Sequence, residues 1–385
     1  MSILELIAAL PDPRMEGKVK HNLGSIIFTT FCAILSGSES WTEIKDYCEI
    51  KQEWLSQYVS FANGIPSEWT FRRVFTLLDP KFLERLLRTH ATETASKRSD
   101  QIALAGKAVR GSKRSGFGCL HSVSAWCHEN GLVLAEEAVN EKSNEITAIP
   151  LLLKSLEIKD TTISIDAAGC QKSIVGVIKE KRGHYVLGLK SNQKKLFAAV
   201  EAYVQKQGFP EEKRLLDEFD DSHGRCVRRR YFSYNIQKLP VVSEWSGAQS
   251  AIAVETISSR TNDPHHTVTA RWRYYITSHK SSNKKLPEYV RNHWGIENKL
   301  HWVLDVHMNE DDDQKTQRKS VRSFALMKRI ALNVLRSKDS TPKRSIRRKI
   351  QRAAMDNSYL LALLLDFIGL LTHLFKIKVQ FLVRR

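Results

Sequence analysis

The feature that most constrains this chain is a series of short apolar runs between residues 102 and 192: IALAGKAVRG, HSVSAWCHENG, LVLAEEAV, TTISIDAAG and HYVLGLKSN. Each is bounded by Gly, Asn or Asp, which reads as a strand between turns. The first three lie close enough together to form an antiparallel meander. Residues 145–158 then carry a helical pattern before the strand that ends at Asp166. Residues 170–181 carry another before the strand that ends near Lys190. Three strands followed by alternating helix and strand describe an α/β fold, a mixed sheet with helices packed on it.

The flanks read differently. Residues 1–95 are helical in pattern, with LGSIIFTTFCAIL, WTEIKDYCEIKQEWLSQYV and FRRVFTLLDPKFLERLLRTHA separated by turn signals. Ser67, ahead of Glu68 and Trp69, is placed to open the third helix. Across 205–285 strand-like segments (RCVRRRYFSYNI, SAIAVETIS, TVTARWRYYIT) alternate with turns, as in a β-rich insertion. The predicted organisation is a helical region 1–95, a core 96–204, the insertion 205–285, a second core part 286–338 and a basic helical tail 339–385.

Charge narrows the partners. The 385 residues hold 60 Lys and Arg against 42 Asp and Glu, a net charge of +18, which attracts polyanions. Fourteen basic residues and one acid, Asp339, fall between Lys315 and Arg352. A solvated helix mixes its signs, so this segment is expected to contact a nucleic-acid backbone. The six cysteines show no CxxC pair or zinc spacing, and the N-terminus does not read as a signal peptide. The apolar runs 26–35 and 360–375 are too short to span a bilayer. The expectation is a soluble, cytoplasmic chain.

Two carboxylates stand out. In the helical stretch 286–313, Val290, Trp294, His301 and Leu304 fall on one stripe, with Glu297 in its middle. A carboxylate on the buried side of a helix is costly unless a basic partner or a cation compensates it, and periodicity leaves both open. Asp166 ends the strand TTISID at the carboxyl edge of the sheet, where open α/β sheets place ligands. An Asp there is also a common turn residue. Taken together, two or three carboxylates on a mixed sheet can hold two Mg²⁺ ions about 3.5–4 Å apart, which serve phosphodiester chemistry.

KSNEITAIP (Lys142–Pro150), SIDAAGCQ (Ser164–Gln171), LKSNQ (Leu189–Gln193), HGR (His223–Arg225) and RNHWGIENKLHWVLDV (Arg291–Val306) occur in that order, after DPR, HNL and GIPSEWTFRRVF. Together they resemble the bacterial insertion-sequence DDE transposases of the H-repeat-associated group, from about residue 10 to 360. The resemblance implies an RNase H-like fold and two Mg²⁺ or Mn²⁺ ions. It further implies double-stranded DNA as partner, both transposon ends and target, and a homodimer on that DNA. It also implies three metal-binding acids, two of them at Asp166 and Glu297. The third belongs in the first strand, in a motif that reads Asp-Gly-Lys in the group and Ala105-Gly106-Lys107 here.

Asp100 lies five residues before that position, out of register with the strand tip, so strand cleavage is expected to be impaired. The alternative is a domesticated or decayed DNA-binding protein without the reaction. Val227 also departs from the group, which carries an acid there. The remaining expectations concern DNA. Lys107, Arg110, Lys142 and Lys190 lie beside the strand tips, Arg225 in the HGR motif, and Arg344, Arg347 and Arg348 in the basic tail. His301 is grouped with these, and it also lies within helical reach of Glu297, to orient it or to pack on Trp294. The acids of NEDDD are expected to cap the next helix.

Overall fold

The computed structural model describes residues 10–17, 19–95, 99–113, 118–139, 144–222, 224–260, 267–337 and 344–369. Among the described residues, five N-terminal helices come first: α1 (Leu23–Leu35), α2 (Trp41–Ile50), α3 (Gln52–Leu55), α4 (Glu68–Leu77) and α5 (Pro80–Thr94). Their starts follow from side chains that accept otherwise unpaired backbone N–H groups. Ser40 and Glu43 form a reciprocal capping box on α2, and Ser67 accepts from Thr70 N at the start of α4. The third helix read from sequence divides in two where Asp79 caps α5 and Pro80 occupies its first turn.

The meander follows as β1 (Gln101–Val109), β2 (Leu120–Cys127) and β3 (Leu132–Ala138). Then come α6 (Glu145–Lys154), β4 (Thr162–Ile165), α7 (Lys172–Glu180), β5 (His184–Leu189) and α8 (Lys194–Gln207). The insertion supplies β6 (Arg214–Asp220), β7 (Arg225–Asn235), β8 (Ser250–Arg260) and β9 (Thr269–Thr277). All nine strands form one sheet in the order β3-β2-β1-β4-β5-β9-β8-β7-β6. Only β1–β4 and β4–β5 are parallel; every other pairing is antiparallel. The insertion therefore extends the core sheet, because β9 pairs directly with β5.

Alternation along the strands gives the sheet two covered faces. On one, Ile102, Leu104, Ile163 and Ile165 share a core with Ile149, Leu152, Ile174, Val175, Leu196 and Val200 of α6, α7 and α8. On the other, Ala103 joins the cluster formed by the N-terminal helices and the chain after residue 286. That chain forms α9 (Leu286–His293), a π turn (Ile296–His301), α10 (Trp302–Met308), α11 (Arg318–Ser337), α12 (Ile346–Met355) and α13 (Asn357–Gly369).

The helix α11 overturns one expectation. Seven of the fourteen basic residues from Lys315 to Arg352 fall between Lys315 and Arg336, and several of these point inward. Arg329 is fully buried, Lys328 is 1% exposed and Arg322 4% exposed. Acids from distant parts of the chain neutralise them. Glu136 of β3 ion-pairs with Arg322 and Arg329, Glu310 with Arg329, and Glu84 of α5 with Arg322. Asp313 pairs with Lys315 and Lys328. Much of the segment is thus a buried spine between the N-terminal helices and the sheet. Beyond it, Arg347 and Arg348 on α12 are exposed, Arg344 is half-buried and Lys349 is buried. The NEDDD acids likewise act as counter-charges: Glu310 and Asp313 as above, and Asp311 for Lys107 and Arg110.

Candidate active site

The parallel register of β1 and β4 organises the site. Leu104 pairs with Ile165, and one further step sets Ala105 beside Asp166 just past the strand. Residues paired this way share a face. It is the face of Gln101 and Ser164, which meet α9: Gln101 Nε2 donates to Ser164 Oγ at 2.9 Å and to the Tyr289 carbonyl at 2.7 Å. His293, one turn before Glu297, bonds Ser164 Oγ through Nδ1 at 3.2 Å. Farther along β1, Lys107 Nζ donates to Asp305 at 2.5 Å. The helix thus runs alongside β1 from Tyr289 to Asp305. Ala105, half-buried, packs against the cluster that contains Ile296 and Leu300 of the π turn. Ala105 and Asp166 thus follow the last β1–β4 pair side by side, and the π turn that carries Glu297 packs over Ala105.

The π turn corrects the expected stripe. Trp302 N–H donates to the Glu297 carbonyl, five residues back rather than four. Such a wide turn moves every later side chain round the axis and is frequent at functional sites. Glu297 is consequently 46% exposed at its side chain rather than buried, and Trp294 and Trp302 are also exposed. His301 turns inward, and its Nδ1–H donates to Glu297 Oε2 at 3.1 Å. That bond, followed by the charges of His301, His293 and Lys107, holds the Glu297 carboxyl below the usual range despite some burial. Asp166 is exposed, and its Oδ1 accepts from Ala168 N at 3.0 Å and Gly169 N at 3.3 Å. This is the turn bond expected of an Asp after a strand, and it fixes the carboxylate at the sheet edge.

One acid was not singled out from sequence. Glu145, in the first turn of α6, packs its half-buried carboxylate against Gly106, where any side chain would overlap it. Burial pushes its carboxyl up, and the charge of Asp166 pushes in the same direction, with a smaller push from Glu297. His293 senses the same pair: burial lowers it, and Asp166 and Glu297 oppose that. Glu145 follows the N-cap Asn144, so in sequence it looks like an ordinary first-turn acid.

The residues expected to meet DNA separate into groups. Lys107 and His301 are corrected: each is under a tenth exposed. Lys107 is held by Asp305 and Asp311 and His301 by Glu297, so neither side chain reaches a solvent-borne partner. Arg110 is open to solvent, 3.5 Å from Asp311, and Lys190 and Arg225 are exposed. Lys142 lies outside the described residues.

A family model described as "Transposase DDE domain" matches residues 78–334, and the DDE_Tnp_1-associated model matches residues 4–91. The chain belongs to the DDE transposase family. It is 38% identical over 368 residues to "Putative transposase YncI" of Escherichia coli O157:H7, covering 93% of each. It is 37% identical to "H repeat-associated putative transposase YhhI" of Escherichia coli strain K12, covering 94% of this chain and 97% of that one. A solved piggyBac transposase synaptic complex with hairpin DNA matches at 11% identity and a TM-score of 0.43, too distant to bear on the site.

DDE transposases use divalent metal ions, so the donor set can be tested against that chemistry. Asp166 and Glu297 offer hard oxygen ligands of the kind Mg²⁺ prefers, but Ala105 offers a methyl group beside them. Among the described residues, no group of three or more His, Cys, Asp or Glu side chains is arranged to hold an ion. The residues present do not make up the three-carboxylate set. No helix among the described residues is long and apolar enough to cross a membrane.

Proposed function

We propose that this DDE transposase binds the double-stranded DNA ends of an insertion sequence as a homodimer, and that strand cleavage and transfer are disabled at Ala105. The observation that supports the reading is the β1–β4 register: Leu104 pairs with Ile165, so Ala105 and Asp166 follow side by side, and the helix that carries Glu297 is bonded to the same strands through His293 and Ser164. Family membership over nearly the whole chain, with relatives described as transposases, supports the transposase over the alternative of a domesticated or decayed DNA-binding protein. In the intact reaction, hydrolysis at the transposon end frees a 3′-hydroxyl, which then attacks a target phosphodiester. The divalent ions would supply nucleophile activation and charge stabilisation once a full carboxylate set held them.

The protein's own contributions are positional. The turn after β4 holds Asp166 at the sheet edge, the His301 bond fixes the rotamer of Glu297 and keeps it ionised, and the His293–Ser164 bond clamps helix to strand. With Asp166 and Glu297 alone, the carboxylate set that would hold such ions is one member short. The binding half of the proposal is tested by mobility shifts on duplexes carrying the terminal inverted repeats that flank the gene, against scrambled duplexes of equal length. Preferential retention of the repeats is expected, and equal affinity for both would overturn it.

A further inference from the structure

The insertion carries a surface of which the sequence singled out only Arg225. One face of β7, β8 and β9 buries Tyr231, Val254 and Tyr275 under Leu286, Tyr289 and Val290 of α9. The same face continues past the end of that helix, and its character changes. It becomes an open trough of about 740 Å³ whose charged lining is Arg225, Arg229, Arg260, Arg271 and Arg273. Between them lie Thr256, whose hydroxyl can donate a hydrogen bond, and Ser258 and Thr269, whose hydroxyls bond each other at 2.9 Å.

The array is electrostatically unfavourable by itself. Arg225 lies directly opposite Arg260 in the antiparallel register, and like charges so placed destabilise a sheet. Among the described residues, Arg225, Arg260 and Arg271 have no ion pair. Among the described residues, the acid that ion-pairs with this row is Glu218 on the edge strand β6, shared between Arg229 at 3.8 Å and Arg291. The alternate residues Arg228 and Arg230 point to the other face and are neutralised there by Asp217 and Glu255. The pattern thus splits by face: arginines paired with acids behind, and in front a row in which, among the described residues, only Arg229 has an acid, the shared Glu218.

The trough also leads to the carboxylates. Arg229 and Arg273 line a second cavity shared with Arg291, Trp294, Asn298 and Lys299, on the helix that carries Glu297. Arg273 lies over the exposed Trp294 ring at 5.4 Å. Guanidinium groups pair with phosphate oxygens in bidentate fashion. We infer that the arginine face of the inserted sheet is the track along which duplex DNA is held by its phosphates and led to the Glu297 edge. This rests on the proposed DNA function and assigns the main contact surface to the insertion rather than to the basic tail.

The test uses the full chain and fluorescence anisotropy on a labelled duplex across 50–200 mM salt. Three proteins are compared: the unaltered chain, Arg225→Gln/Arg271→Gln, and Arg347→Gln/Arg348→Gln on α12. All four side chains are exposed, so thermal melts are expected to coincide. Each phosphate contact contributes about 0.9 to the slope of log K against log salt. Loss of two contacts in the sheet variant should lower that slope by about 1.8, so the unaltered chain loses about twelvefold more affinity across the range than the variant does. The α12 variant should change the slope less. A sheet variant with unchanged slope and affinity, beside an α12 variant that loses both, overturns the inference and leaves DNA binding intact. An unaltered chain that does not bind duplex at all overturns the inference and the proposed function together.

Discussion

Replacing Glu136 by Ala should loosen the whole molecule, although the residue lies outside the candidate site. Glu136 is fully buried at its side chain and receives Arg322, Arg329 and the Ser124 hydroxyl, the last at 3.1 Å. Its removal leaves two buried guanidinium groups short of one carboxylate each. Removing one member of a buried ion pair costs about 3–5 kcal/mol, chiefly because the surviving charge stays buried. Here each arginine keeps a second acid: Arg329 keeps Glu310 at 2.5 Å, and Arg322 keeps Glu84 at 3.1 Å. The expected loss is therefore near the lower end, about 3 kcal/mol, a large share of the roughly 5–15 kcal/mol that stabilises a typical protein. Urea unfolding followed by far-UV circular dichroism measures it. Replacing Glu136, Arg322, Arg329 and Glu310 together by Met should recover most of the loss, since apolar groups of similar volume can substitute for a buried ionic network and no buried acid is then left without Arg329. A loss below about 1 kcal/mol for Glu136→Ala would refute the view that α11 is docked by this network.

Two further predictions concern stability. Lys107→Met should cost about 2–3 kcal/mol, below the fully buried range because Asp305 and Asp311 keep contact with water, and should leave the salt dependence of DNA binding unchanged. A flattened salt slope with intact stability would return Lys107 to the DNA-contacting set. His90 is buried against Phe367, and burial pushes its imidazole down to about 4 from an ordinary value of 6.5. The unfolded chain binds that proton first as pH falls, so stability is present above about 6.5 and is lost towards pH 4. His90→Leu should flatten that part of the acid limb in chemical denaturation at stepped pH; an unchanged limb would show that His90 does not contribute.

The parts of this fold that were legible from sequence are those whose signal is local. The meander, β4, β5 and the insertion's β7, β8 and β9 announce themselves through short apolar runs between turn residues. Ser67 gives away the start of α4 because a cap acts within three residues. The strand β6 is harder to read: it is short, mixes charged residues with apolar ones without alternation, and leaves Leu216 and Phe219 exposed at the sheet edge. That β9 would pair with β5 depends on tertiary geometry that no window of sequence contains.

The errors have the same origin. The inward basic residues of α11 look like a polyanion-binding segment, because two of their counter-charges, Glu84 and Glu136, lie 238 and 186 residues before Arg322. Glu297 was placed on the buried stripe by assuming an α-helical period, which the π turn interrupts. Asp166 and Glu297 could be picked out by type and position. Glu145 could not, since its nearness to Asp166 comes from the packing of α6 across Gly106.

The central claim is that one missing carboxylate at Ala105, on an otherwise intact transposase fold, separates this chain from strand cleavage. The most direct measurement is Mg²⁺-dependent nicking of a duplex carrying the flanking inverted repeats, with the unaltered chain, Ala105→Asp, and Ala105→Asp/Glu297→Gln compared side by side. The account predicts nicking by Ala105→Asp alone, because the added carboxylate completes the oxygen ligands that Mg²⁺ requires. The Gln amide should abolish it by removing a charge while keeping the shape. Nicking by the unaltered chain at a comparable rate, or undiminished nicking after Glu297→Gln, would contradict it.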